Sequence, residues 1–539
     1  MAVSPTYPGV YIQEVDSGVR TVAGVPTSVA AFVGVAMRGP VNQPVGCFNF
    51  GEFTRRFGGL SLASTMSYCV EDFYANGGGH CEIVRVFKPL AADTSDLDAD
   101  GYAKLTLGAL KLRAISPGLW GNQIKGRIDH PEESDDASAT AAAAKYGVAK
   151  ADLFTLSLID EATGAKEVHT NLVARDIGSE RRFDRVLAGA SQMAEFLPKS
   201  DGTPTFISGR PAKGTVTDGV PEYTKALKGN DGQTVDNTAL IGDLNTKTGM
   251  QALRKTDIFN LLCIPPVDRA GEVDKALREK AAQLCRERRA LFVVDPPKGW
   301  DTNPDTAAAT AKAGLLAGDV LALANADYAA LYFPRLRKRD PLRGGQMDIF
   351  PPCGAVAGVM ARTDTQRGVF KAPAGLGATV VGAEALTVKL TDDENGQLNP
   401  IAVNCLRSFP NIGHTVWGAR TLKGSDQLSD DYKYVSVRRL ALFIEESLFR
   451  GTQWVVFEGN DEPLWAQIRM AIGSFMHRQF LQGAFQGTSP KEAYFVKCDA
   501  TTTTPDDINR GIVNIIVGFA PLQPAEFVVI SIQQIRNAA

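Results

Sequence analysis

A few places in the chain combine residue types that could do chemistry. Gly34-Val35-Ala36-Met37-Arg38-Gly39-Pro40 follows an apolar run, where a phosphate-binding turn would sit. It lacks the G-x-G-x-x-G spacing, and Pro40 would disrupt the helix entry that a pyrophosphate needs. Gly77-Gly78-Gly79-His80 reads as a flexible helix exit. His80 and Cys81 are adjacent, so on a strand they point to opposite faces and make poor co-ligands. Asp295 ends an apolar run, the position of ligand sites in α/β sheets, but Pro296-Pro297 follow and favour a simple turn residue. The sequence contains no G-x-x-x-x-G-K-[ST], H-E-x-x-H or G-x-S-x-G pattern. No catalytic or metal residues and no cofactor are therefore expected, and the chain reads as a non-enzyme.

Two charged groups call for partners. Arg335, Arg337, Lys338, Arg339 and Arg343 cluster around a lone Asp340. They read either as a solvated loop or as an acceptor for an acidic patch on another subunit. In the helical stretch from Val435, Arg438 and Arg439 come early and Glu445 and Glu446 come late. That order opposes the helix dipole and hints at an external partner for those charges.

Composition bounds the partner class. The 57 basic and 60 acidic side chains leave a formal charge of −3, so electrostatics gives no case for nucleic acid as a partner. Low net charge also permits dense self-association. Pro5, Pro8, Glu14 and Asp16 interrupt the stretch that a secretory signal would need. No window reaches the ~18 apolar residues of a membrane span, so no direct membrane insertion is expected. The eight cysteines are scattered and read as reduced thiols. At 539 residues the chain exceeds one ordinary core, and several domains are expected.

The elements that must position these residues alternate strand and helix. Ser28 to Val35 is apolar on both faces, as a strand in a covered parallel sheet would be. Met66 to Ala75 reads as a helix and Glu82 to Phe87 as a strand. The same grammar resumes with strand Ile258–Ile264, helix Val273–Arg289, strand Leu291–Asp295, a helical stretch Ala307–Ala326 and a strand around Ala330–Phe333. Residues 92–240 break the pattern with a low-complexity run and a strand at Leu153–Ile159. Beyond residue 395 come helices Val435–Phe449 and Asn460–Leu481, then terminal strands.

The expected fold class is therefore α/β and multi-domain. It comprises a doubly wound, mainly parallel core sheet (23–91 and 241–394), an inserted β-rich domain (92–240) and an α+β C-terminal domain (395–510). Strand-forming arms at 1–22 and 511–539 flank these parts. Val10, Tyr11, Ile12 and Val15 form the N-terminal strand, and Phe527, Val528, Val529, Ile530 and Ile532 the C-terminal one. A terminal strand without a hairpin partner needs an edge, in its own subunit or in a neighbour.

Several stretches resemble the contractile tail sheath family of tailed phages. They include Pro8-Gly9-Val10-Tyr11, Val25-Pro26-Thr27-Ser28-Val29, Arg38-Gly39-Pro40, Pro351-Pro352-Cys353-Gly354, Trp417-Gly418-Ala419-Arg420-Thr421-Leu422, Tyr434 to Leu440 and Pro524-Ala525-Glu526-Phe527. Their order and coverage, about 1–90 and 245–535, make the resemblance specific. It implies a subunit that polymerises helically around a tail tube protein, with neighbours exchanging terminal strands, and that contracts without hydrolysing nucleotide. The two charged groups would then be contacts to another subunit or to that tube. Baseplate and tail terminator proteins would be further partners. The setting would be a virion tail built in the host cytoplasm, or a tailocin or contractile injection system.

Overall fold

The computed structural model describes residues 20–93, 96–131, 136–269, 271–527 and 529. At its centre lies an eight-stranded sheet. Its strands are β1 (Ala30–Gly34), β2 (Val45–Cys47), β3 (Cys81–Arg85), β4 (Leu261–Cys263), β5 (Leu291–Val294), β6 (Ala329–Phe333), β7 (Val403–Phe409) and β8 (Gly413–Val416), in the spatial order β2-β3-β1-β4-β5-β6-β7-β8. The run from β3 to β7 is parallel, and antiparallel β2 and β8 close the two edges.

Both faces of the sheet are covered, and because successive side chains of a strand point to opposite faces, the central strands β1, β4, β5 and β6 are apolar throughout. Ala30, Phe32, Leu261, Cys263, Leu291 and Val293 face one core. Their immediate neighbours Ala31, Val33, Leu262, Phe292 and Val294 face another. The first core is roofed by α1 (Thr65–Ala75) and, later in the chain, Cys353–Arg367; the second by α2 (Lys275–Arg288) and α3 (Ala307–Leu316). Asp274 caps α2, its carboxylate accepting the Leu277 N–H at 2.8 Å. The expected helical stretch to Ala326 stops early, because Gly318 turns left-handed (φ 76°).

Helix α4 (Cys353–Arg367) approaches α1 almost backbone to backbone. A Cβ on Gly354 would lie 2.1 Å from the Cys69 carbonyl oxygen, and one on Gly358 2.5 Å from that of Phe73. Glycine four residues apart clears one stripe of the helix for its neighbour.

Two differences from the sequence expectation concern charge. The basic cluster is not a loop. Leu336–Asp340 is a strand paired with Gln346–Phe350 and Ala385–Leu386, with Leu336, Lys338 and Asp340 pointing inward. Charges at inward positions hid the alternation. Residues 403–416, expected in the C-terminal part, belong to the core sheet. Polar Asn404 masks this strand, yet it is buried and donates to the carbonyls of Leu331 (3.0 Å) and Arg420 (2.7 Å).

Between β3 and β4 the chain builds smaller antiparallel sheets. One joins Lys104–Leu107, Leu110–Ala114 and Ala194–Phe196; another joins Thr224–Lys225, Ile124–Asp129, Leu153–Asp160 and Lys166–Val173. They share a separate core that includes Leu105, Leu112, Leu156 and Phe183. Buried Arg85 at the end of β3 ties this region to the sheet. Its guanidinium donates to the carbonyls of Ala36 (2.9 Å), Gly39 (2.8 Å) and Pro117 (2.9 Å). Burial lowers its pKa to about 10.

Gly354→Ala should destabilise the monomer by about 2 kcal/mol, because helix separation outweighs the propensity gain of ~1 kcal/mol. Gly473 has open space around its Cβ position. Gly473→Ala should stabilise by about 0.5–1 kcal/mol. Urea unfolding midpoints of the two variants should therefore move in opposite directions.

Candidate assembly interface

The carboxyl ends of β4 and β5, where an α/β ligand site would lie, are nearly filled. The cleft there, lined by Arg269, Arg278, Asp295 and Arg335, has room for about 20 Å³, the space of one water. Asp295 Oδ1 accepts the Cys353 N–H at 2.9 Å and so caps α4 from a distance. Its Oδ2 is buried without a partner. Burial pushes the carboxyl up to about 7, against the opposing pull of Arg278 and Arg335. Its role in the structure is a helix cap. Among the described residues no group of His, Cys, Asp or Glu could hold a metal ion, and all eight cysteines are buried and unpaired.

The charged candidates are mostly bound within the chain. Arg335 pairs with Asp301 (2.9 Å from Nε to Oδ2) and Lys338 with Asp72 (2.6 Å). Arg438 stacks on Tyr328 and Tyr432 and reaches Glu445 at 3.1 Å. Arg439 holds Asp364, and Glu446 holds Arg289 (2.8 Å) and Arg450 (2.7 Å). Arg438 and Glu445 thus pair within their own helix, whereas Arg439 and Glu446 reach partners elsewhere in the same chain. Arg337 and Arg339 remain on the exposed face of their strand, Arg339 beside Glu384 at 2.8 Å, and Glu445 is also exposed.

The unfinished feature of the fold lies at the C-terminal end. Strands β9 (Tyr494–Lys497) and β10 (Ile516–Phe519) form a two-stranded antiparallel ribbon, with Tyr494 opposite Phe519 and Lys497 opposite Ile516. Tyr494, Val496, Val517 and Phe519 pack inward on α5 (Val435–Gly451) and α6 (Glu462–Leu481), against a core of Leu440, Ile468, Ile472 and Phe475. The outward residues Phe495 and Ile516 are 50% and 49% exposed. The Phe495 ring lies over Gly518, where a Cβ would come within 2.2 Å of it. Among the described residues no third strand pairs with either edge. A lone two-stranded ribbon is marginal, and its outward N–H and C=O groups are a template for further strands.

The N-terminal end of the described chain reaches this region. Arg20 lies over the Trp454 ring at 4.7 Å, and Val22 packs into the core beneath the ribbon. The Val25 N–H donates to Ser447 Oγ at 3.2 Å. At the other end, Phe527 and Val529 are 75% and 88% exposed. Val10, Tyr11, Ile12, Val15, Val528, Ile530 and Ile532 lie outside the described residues. Sequence reasoning found the strand that became β10 but missed β9, where Lys491, Glu492 and Lys497 obscure the three β-forming residues Tyr494, Phe495 and Val496.

A family model for the phage tail sheath protein central domain matches residues 239–422, and one for the phage tail sheath C-terminal domain matches residues 427–535. Together they take in more than half of the chain. Among solved structures, the chain is similar to the PVC sheath complex of an extracellular contractile injection system in its contracted state. The TM-score is 0.54 and the identity 21%, over 99% of each chain. The anti-feeding prophage helical sheath in its contracted state gives 0.55 and 20%, over 98% of this chain and 100% of that one. A sheath tail protein from Listeria innocua gives 0.57 and 15%, over 93% and 96%. At these identities the likeness speaks for the fold. No curated protein matches the chain.

Because folding raises the Asp295 pKa from 3.8 to about 7, the native state keeps a proton that the unfolded chain releases. Stability from this group is therefore lost as pH rises from about 4 through 7. Asp295→Asn keeps an acceptor for the Cys353 N–H and removes that loss. Its stability advantage over the parent should grow by on the order of 1–3 kcal/mol between pH 4 and 8, read from denaturation midpoints across pH.

Proposed function

The chain belongs to the phage tail sheath family, and we propose that it polymerises by strand exchange into a helical contractile sheath around an inner tube. The observation that carries this function is the open ribbon β9–β10, with the N-terminal end of the described chain packed beside it. The N-terminal strand Val10–Val15 of one neighbour and the C-terminal strand Phe527–Ile532 of another would extend that ribbon, by β-augmentation. Each added strand of about four residues contributes roughly 0.5–1.5 kcal/mol net per main-chain hydrogen bond. Burial of Phe495 and Ile516 adds to this. A head-to-tail link of this kind does not close on itself and generates a helical tube.

Contraction then needs no chemistry in the subunit. The sheath assembles in an extended state, and a baseplate signal releases it to a wider, shorter one of lower free energy. Repacking of subunit surfaces supplies the work, while the exchanged strands act as hinges that hold. Exposed Arg337 and Arg339 are the members of the basic cluster available for contacts with a neighbour. Residues 92–240, which carry a core of their own, form an outward domain away from the tube. A tail terminator protein would close the far end. The same subunit suits a phage tail, assembled in the host cytoplasm, and a phage-derived tailocin or injection device.

Deleting residues 1–19 or 528–539 should leave a monomer with the parent's far-UV circular dichroism and a melting temperature within a few degrees. Neither deletion should form tubes by negative-stain electron microscopy. Tubes of parental width from either one would sink strand exchange.

A further inference from the structure

Two of the motifs that carry the family resemblance lie about a hundred residues apart and meet in the fold. The side chain of Arg420, within Trp417–Leu422, is 1% exposed. Asn404 pins its backbone, Oδ1 accepting the Arg420 N–H at 2.7 Å and Nδ2 donating to its carbonyl at 2.7 Å. The guanidinium then takes Glu526, within Pro524–Phe527, in a two-pronged bond: Nε to Oε1 at 2.9 Å and Nη2 to Oε2 at 2.6 Å. The Tyr434 hydroxyl donates to the same Oε2 at 3.3 Å. The remaining prong, Nη1, reaches the Gly424 carbonyl at 3.3 Å and Asp426 at 2.9 Å. Three residues past Glu526 the chain is almost fully exposed.

The geometry points to Arg420 as the anchor of the C-terminal arm, a socket for the Glu526 carboxylate that stays closed while the strand beyond residue 527 moves with a neighbour. This rests on the strand-exchange function proposed above. Upstream of Glu526 the segment is held by backbone bonds, Gln486 N–H to the Ala520 carbonyl (2.9 Å) and Leu522 N–H to that of Ala484 (3.2 Å). Such bonds at an exposed edge can be peeled by a pulling strand. Withdrawing Glu526 is different in kind, because it would leave a buried guanidinium with Asp426 as its one carboxylate. A charge-assisted bidentate pair is also orientation-specific, so it fixes the direction in which the arm leaves.

The N-terminal root has the same device. Arg439 on α5 is buried and donates to Asp364 Oδ1 at 2.9 Å and to the Thr27 carbonyl at 3.0 Å. The Thr27 hydroxyl donates to Asp364 Oδ2 at 2.7 Å. Each terminal segment is thus tied to a buried arginine–carboxylate pair, through Glu526 itself on one side and through the Thr27 carbonyl and hydroxyl on the other, with Val22 and Val25 still held beyond Thr27.

The test uses the full-length chain with Glu526→Gln, and with Asp426→Asn as the control that removes the other carboxylate and leaves the arm bond. Hydrogen exchange of the segment 519–527, read by mass spectrometry, should speed up at least about tenfold in Glu526→Gln and stay near the parent in Asp426→Asn. Exchange elsewhere should be unchanged, and tube formation should be lost with Glu526→Gln. Exchange within twofold of the parent in Glu526→Gln overturns the anchor, whatever the tubes do. Normal tubes from Glu526→Gln, when deletion of 528–539 abolishes them, overturn it as well. If the 528–539 deletion still forms tubes, strand exchange fails, and the exchange rates alone decide the anchor.

Discussion

Two-sided burial of the central sheet is the constraint from which the rest of this subunit follows. A parallel sheet needs helices on both faces, and α1 with α4 and α2 with α3 supply them. Its edges offer little to a further strand. β2 is only three residues long, and the outer side of β8 is covered where Val380 N–H donates to the His414 carbonyl and Val416 N–H to that of Ala378. A sheet with such edges is a poor template for growth. The ribbon β9–β10, by contrast, leaves backbone open among the described residues.

Around that rigid centre, buried arginines act as long-range ties. Arg85 gathers the loop at 36–39 and Pro117, Arg269 reaches Asp340 and Asp348 at 2.7 Å each, Arg439 holds Asp364 and Thr27, and Arg420 holds Glu526. The planar fork of arginine suits this work, because it satisfies several acceptors from different segments at once. Such pairs add little net stability over an apolar core. They are costly to break on one side only, which fixes which segments stay together.

Much of the fold was legible in the sequence. The apolar runs at 28–35 and 291–295 reported a sheet covered on both sides, and Val513 to Phe519 reported by alternation the strand that became β10. The family resemblance was legible too, in motifs spread over the two ends of the chain. What misled was charge at inward positions. Lys338 and Asp340 made a strand look like a solvated loop, and Asn404 made a core strand look peripheral. In each case the group is satisfied by a residue tens to hundreds of positions away.

The sequence by itself determined the layered α/β plan, the broken middle region and the alternation that became β10. These depend on hydrophobic period and turn chemistry, which are local along the chain. Only the tertiary structure decided that Arg335, Lys338, Arg438 and Arg439 turn inward, that Arg420 meets Glu526 and that β9–β10 is left as a two-stranded ribbon. Those outcomes depend on which distant carboxylate or carbonyl compensates a buried charge, and on which strand edges other segments happen to cover. No local pattern carries that information, because it exists only once the chain has folded back on itself.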